Sequence, residues 1–215
     1  MQFLKYHALG NEYLVLDHGN KHSPSISLSS EQVSKICNRN YGLGADGILI
    51  GSKYGSEKHF NLQIFNPDGS TAEKSGNGLR IFARFLWDLE EVNLSRFEIM
   101  TSGGLVTAFV EDSGLNVSVE MGKVSFQSDK ITVEGKIREV LNETIEVDGQ
   151  QLEFCAATIG NPHCVVLNGK QTQEEVRRIG PLIETHQNFP NRINVQFLEV
   201  PVSYTHLTLP TKRIV

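Results

Sequence analysis

The chain has 215 residues, 39% of them apolar and 21% charged, and a formal charge of −5 at pH 7. That length holds one large domain or two small ones with ample core. The mild acidity gives no electrostatic reason to expect nucleic acid or an anionic membrane as partner. No apolar run nears the roughly 20 residues of a membrane span, and the opening MQFLKYHALGNEY lacks the layout of a secretory signal. Cys37, Cys155 and Cys164 show no CxxC spacing. The expectation is a reduced, cytoplasmic setting with no disulfide framework and no metal site.

Leu14 to Leu16 reads as a buried strand. Ser29-Ser30-Glu31-Gln32 is a capping-box pattern, and Val33, Ile36 and Cys37 form the apolar stripe behind it, which makes Cys37 a core residue. Gly47 to Ile50 reads as a second strand, and Phe60, Leu62 and Ile64 alternate with polar residues as a third. Asn66-Pro67-Asp68-Gly69-Ser70 is a strong turn signal. A helix is then expected after Gly78, with Leu79, Phe82, Leu86 and Leu89 on one face and Ile81, Phe85 and Trp87 filling much of the rest. A helix apolar nearly all round is buried, so other elements have to wrap it. Phe97 to Glu120 reads as a β-meander, and Lys123 to Gln150 as a connection with a strand near Thr144 to Val147.

The opening then recurs. Leu9-Gly10-Asn11-Glu12-Tyr13-Leu14-Val15-Leu16-Asp17 resembles the stretch from Ile159-Gly160-Asn161-Pro162-His163-Cys164 to Asn168. A capped amphipathic helix follows each copy, the second from Thr172 to His186 with Val176, Ile179 and Ile183 inward. A strand follows each helix, the second from Ile193 to Val200. Three elements repeated in order indicate a duplicated unit, hence two similar lobes with a ligand site between them. On that reading the first lobe runs over 1–122 and a partial second lobe over 123–201. PVSYTHLTLPTKRIV has neither helical nor strand period, so 202–215 is expected to be a non-native tail on a truncated second lobe. That lobe would lack its own buried helix.

Ser75-Gly76-Asn77-Gly78 carries the chemistry. It aims backbone N–H groups, which lack intrahelical partners, at the mouth of a buried helix whose dipole favours an anion. No Gly-Lys-Ser/Thr ending follows, so a carboxylate fits better than a nucleotide phosphate. The Asn66 turn is expected to lie beside the same mouth. Ser75 is either a plain helix cap or a reactive group.

Four segments carry a resemblance to the diaminopimelate epimerase family: HALGNEYLVLD, the run from Phe65 to Leu86, IGNPHCVV and FPNRINVQFLEV. The resemblance implies an α/β (α+β) fold of two pseudo-symmetric lobes, each a β-barrel-like sheet around a central helix, the second incomplete here. It implies cofactor-free inversion at the α-carbon of an amino acid, LL-diaminopimelate passing to the meso form in lysine and peptidoglycan precursor synthesis, by a homodimer. In the family two cysteines work on opposite faces of the substrate. The position of the first is Ser75 in this chain, and the second lies in a segment this chain lacks, so the chain as it stands is expected to be inactive. Asn11, Asn66, Asn161 and Asn194 match substrate-contacting asparagines, Gly76 and Asn77 the contacts at the helix mouth, and His163 a histidine that tunes the cysteine pair. Cys164 beside it reads as a strand core residue. Serine at position 75 leaves open another cofactor-independent racemase or epimerase, a hydroxyproline-type dehydratase, or a non-catalytic amino-acid-binding protein.

Overall fold

The computed structural model describes residues 2–17, 27–53, 59–92, 96–167 and 171–199. The chain divides into two compact units, 1–122 and 123–215. The segment 202–215 lies outside the described residues.

The first unit is one sheet with a helix on each face. It begins with β1 (Phe3–Ala8) and β2 (Asn11–Asp17), then α1 (Ser30–Cys37) crosses to β3 (Ile48–Lys53), parallel to β2. Next come β4 (His59–Phe65), the short β5 (Thr71–Ala72), α2 (Gly76–Asp88), β6 (Arg96–Thr101), β7 (Gly104–Glu111) and β8 (Asn116–Glu120). The strand order is β1-β2-β3-β4-β6-β7-β8, with β5 paired to β4. Helix α2 contacts both edge strands, β1 and β8, as well as β2, β3 and β7, so the sheet curls around it. Leu79, Ile81, Phe82, Phe85 and Leu86 are buried there with Val15, Leu49, Leu62 and Ile64. Each such side chain contributes roughly 1.5–3 kcal/mol by leaving water. Alternate residues of the same strands, Leu14, Leu16, Ile48 and Ile50, turn to the other face and pack on Val33 and Cys37 of α1.

Helix α2 starts at Gly76, two residues before the glycine after which the sequence pattern places it. The Ser75 side chain accepts the Gly78 N–H and so draws two poor helix formers into the first turn. At the other end Leu89 is the C-cap and 40% exposed rather than part of the apolar face.

The second unit has a four-stranded sheet of order β12-β11-β10-β9. It contains α3 (Ser128–Ile131), β9 (Glu143–Val147), β10 (Gln150–Thr158), β11 (Pro162–Val166), α4 (Gln173–Glu184) and β12 (Asn194–Phe197). The stretch from Lys123 to Gln150 is more than a connection. Ile131, Val133 and Val140 are buried in the same cluster as Phe154, Cys164, Ile179 and Ile183. The repeat is present in the topology. An antiparallel pair leads through a capped helix to a parallel strand in both units, β1-β2-α1-β3 and β10-β11-α4-β12. Both helices carry a complete capping box, Ser29 with Gln32 and Thr172 with Glu175.

Candidate active site

The mouth of α2 is built from Ser75, Gly76 and Asn77, all half-buried. Gly78 N–H is taken by Ser75 Oγ at 3.1 Å and Leu79 N–H by the Ser75 carbonyl at 2.8 Å. Of the first turn, the N–H groups of Gly76 and Asn77 remain without an intrahelical acceptor. Ser75 Oγ has a second neighbour, the Tyr13 hydroxyl at 3.2 Å. Tyr13 comes from β2 and is 6% exposed. Burial pushes its phenol above the ordinary value; the bond to Ser75 pulls it down and the Asp46 charge pushes it further up.

Beside this pair runs a chain of directed hydrogen bonds. Arg80 of α2 donates to Asn77 Oδ1, Asn77 Nδ2 donates to Asn11 Oδ1 at 3.3 Å, and Asn11 Nδ2 donates to Asp46 Oδ2 at 3.2 Å. A guanidinium at one end and a carboxylate at the other fix both amides. Flipping either one would set a carbonyl against Asp46 or an NH2 group against Arg80. Each NH2 group uses one hydrogen in this chain and has a second that the chain does not use. Asp46 also accepts the Glu12 N–H at 2.9 Å, and Arg39 bridges Asp46 and Glu12 at 2.7 Å each. The Glu12 N–H, then Arg39 and Asn11, hold the Asp46 carboxyl below the usual carboxylate range against the opposing pull of desolvation.

Asn66 lies in the turn between β4 and β5. Its amide donates to Ser70 Oγ at 3.0 Å, its N–H to the Ser70 carbonyl, and its carbonyl accepts from Gly69. Gly69 is held at φ 84°, and a Cβ there would come within 2.5 Å of Ser30, so the turn is seated on the start of α1. Asn11, Gly76, Asn77 and Ser75 thus come together, while the described bonds of Asn66 stay within its turn.

The second unit gathers the rest. Asn194 Nδ2 donates to Asn161 Oδ1 at 3.2 Å and to the Pro162 carbonyl at 2.9 Å. His163 pairs with Asn194 in the β11–β12 register, and its Nδ1 lies 3.1 Å from Gln196 Nε2. An amide nitrogen only donates, so in this orientation of the Gln196 amide Nδ1 is the acceptor. Cys164 points the other way, into the core, where burial and then the nearby Cys155 push its thiol up to about 12. It is a packing residue, and so is the buried Cys37. The sequence reading missed Tyr13, Arg39, Asp46 and Arg80. Only the Gly-Asn spacing before Tyr13, repeated before His163, marked one of them.

A sheet curled around a buried helix, with a hydroxyl and two free N–H groups at its mouth, and a repeat of its first strands, define a two-unit α/β protein of the racemase and epimerase fold class. A probable proline racemase from Agrobacterium radiobacter K84 shares that fold at a TM-score of 0.64 and 16% identity, over 93% of this chain and 67% of that one. A hydroxyproline epimerase from Agrobacterium vitis does so at 0.57 and 17% identity, over 85% of this chain and 53% of that one. The sequence goes further: the diaminopimelate epimerase family pattern matches residues 3–127. "Diaminopimelate epimerase 2" of Nostoc sp. is 52% identical over 93% of this chain and 69% of its own length. The diaminopimelate epimerase of Methanothermobacter thermautotrophicus is 36% identical over 92% of this chain and 70% of its own. The chain belongs to the diaminopimelate epimerase family. Among the described residues no helix is long and apolar enough to cross a membrane.

Proposed function

We propose that the protein is a diaminopimelate epimerase, an isomerase that inverts one α-carbon of LL-diaminopimelate to the meso form by proton transfer without a cofactor. The observation that carries this reading is the Ser75 hydroxyl beside the free N–H groups of Gly76 and Asn77, in a chain of that family. The substrate carboxylate binds to those two N–H groups and to the spare amide hydrogens of Asn11 and Asn77. As a base on the opposite face of Cα takes the α-proton, the electron pair of the broken C–H bond spreads into the carboxylate, and the fixed donors stabilise the charge that develops there. Ser75 faces one side of Cα and, as a hydroxyl that stays protonated at neutral pH, serves as the proton donor of that side. In the second unit Asn161, Asn194 and His163, and in the first Asn66 at its turn, are further substrate-contacting residues of the proposal. The lobes 1–122 and 123–201, a homodimer and a cytoplasmic setting complete the proposal.

A hydroxyl in place of a thiol favours a second reading. The same scaffold would act as another cofactor-independent racemase or epimerase, or as a dehydratase of a hydroxylated amino acid. Incubating the full-length protein in heavy water with LL-diaminopimelate separates the two. Deuterium at Cα of diaminopimelate is expected. Exchange into a different amino acid only, or loss of water from a hydroxylated one, would replace the first reading with the second; binding without exchange would leave an amino-acid-binding protein.

A further inference from the structure

A serine hydroxyl is a far weaker acid than a thiol, so a serine that trades protons at Cα needs help that a cysteine does not. We infer that Tyr13 supplies it: its phenol donates to Ser75 Oγ, holds the serine proton toward the ligand and stabilises the oxygen when that proton leaves. The inference rests on the placing of Ser75 at the proton-transfer position and adds the residue that fits it for the task.

Three observations carry it. First, a hydroxyl has one donor and two acceptor sites. The Gly78 N–H fills one acceptor site of Ser75 Oγ at 3.1 Å, and the Tyr13 hydroxyl stands 3.2 Å from the same oxygen. Either hydroxyl of the pair could donate; a phenol is a stronger acid than an aliphatic hydroxyl, so with both groups protonated Tyr13 takes the donor role, and Ser75 donates only to an ionised phenol, the state that the bond favours. Both acceptor sites are then filled, and the serine O–H is left to point at the mouth. Second, the place of the phenol is built into the backbone. Tyr13 is 6% exposed, and its ring lies over Gly47, where an added Cβ would come within 2.6 Å of a ring carbon. The same Cβ would also come within 2.4 Å of the Phe65 carbonyl oxygen, so glycine just before β3 leaves room for both the neighbouring strand and the ring. Third, Ser75 caps a 13-residue helix whose N-terminus favours negative charge.

In the donating step the Ser75 O–H bond breaks and its proton forms the new Cα–H bond. The electron pair left on Oγ is held by the Gly78 N–H and the Tyr13 O–H, two hydrogen bonds to the charged form that make it accessible. Water then returns a proton to Oγ. Tyr13 touches no substrate atom in this scheme; it is a positioning residue acting through Ser75.

The test uses a small alkyl fluorophosphonate, which is blind to the amino-acid substrate. It phosphonylates an activated serine oxygen, fluoride leaves and the hydroxyl proton passes to solvent. Peptide mass mapping is expected to find the label on Ser75, and Tyr13→Phe to slow labelling about tenfold, the worth of one hydrogen bond to a developing charge. Ser75→Cys should make the phenol dispensable, so that Ser75→Cys with Tyr13→Phe exchanges deuterium into Cα as fast as Ser75→Cys alone. A merely structural Tyr13 would slow both backgrounds equally. An unlabelled Ser75, or equal labelling with and without the phenol, overturns the inference. If Tyr13→Phe does not fold, the carbon-13 signal of the Tyr13 Cζ decides: it shifts in Ser75→Ala if the bond exists, and an unchanged signal overturns the inference as well. Labelling that depends on Tyr13 in a protein exchanging no deuterium into diaminopimelate leaves this inference standing and removes the epimerase reading.

Discussion

Replacing Asp46 with asparagine keeps its shape and removes its charge, which probes the anchor of the polar chain that reaches Asn77. The carboxylate accepts from Glu12 N–H, Asn11 and Arg39 at 2.9, 3.2 and 2.7 Å. An asparagine has one acceptor oxygen, so its NH2 group has to face either Arg39 or the Glu12 and Asn11 donors. Hydrogen bonds to a charged group are worth about 1.5–3 kcal/mol each when buried. The Asp46 side chain is 37% exposed and water replaces part of what is lost, so the expected cost is about 1–2 kcal/mol at pH 7. The sign with pH follows from the depressed carboxyl. Its stabilisation is fully present above the ordinary carboxylate value of about 4 and is lost as pH falls through the lower folded-state value. Urea melts of both proteins from pH 7 down to the acid limit, compared at constant m, measure the difference. The gap should close as the medium becomes acid, because protonated Asp46 and asparagine are then alike. A gap of the same size at every pH would refute the electrostatic account and leave only a shape effect.

Two further outcomes test the packing that presents the site. Gly51 lies in β3 against α2, and a Cβ there would sit 2.0 Å from Phe82, a fully buried ring. Gly51→Ala should therefore cost about 3 kcal/mol, at the upper end of overpacking, and Phe82→Leu in the same chain should recover part of it; a neutral Gly51→Ala by thermal melt would count against the close approach. Alkylation of the folded protein near pH 8 should modify the half-buried Cys155 alone. Cys37 and Cys164 should react only after denaturation, since burial pushes both thiols up. Native labelling of Cys164 at the rate of Cys155, read by peptide mass, would contradict its place in the core.

The buried helix and its mouth were legible because they rest on local chemistry. The apolar residues of α2 exceed one helical face, and Ser-Gly-Asn-Gly before them has few other uses. The two capping boxes were legible for the same reason. Strand β1 went unread although Leu4, Tyr6 and Ala8 alternate with the exposed Lys5 and His7; it lies at the edge of the sheet and none of its six residues is fully buried. Nor was the core role legible of Ile131, Val133 and Val140, which stand singly among polar residues and bury only through contacts far along the chain. Tyr13 escaped because its one telling bond is to Ser75, 62 residues away. Asp46 is equally remote, 35 residues from Asn11, in a loop whose sequence suggests only a turn.

What the sequence did hold, without saying so, was a rule for where such residues fall. In both units the residues that follow Gly-Asn form a strand whose alternate members face an outer helix: Leu14 and Leu16 pack toward α1, as Cys164 and Val166 pack toward α4. The members between them face the other side. There Tyr13 and Val15 in the first unit correspond to His163 and Val165 in the second, by the Gly10-Asn11 and Gly160-Asn161 register. In the first unit that side meets α2, and the polar tip at the leading position reaches the hydroxyl at the helix mouth. In the second the leading position carries an imidazole oriented by Gln196. The period of two along a strand sets which positions can serve a site, and the antiparallel partner and crossover helix set which side it is on. The duplicated unit thus fixes a place for a hydrogen-bonding side chain, and each copy fills it with a different one. A phenol suits a serine that needs a donor, and in the second unit the same position carries a ring nitrogen held by Gln196.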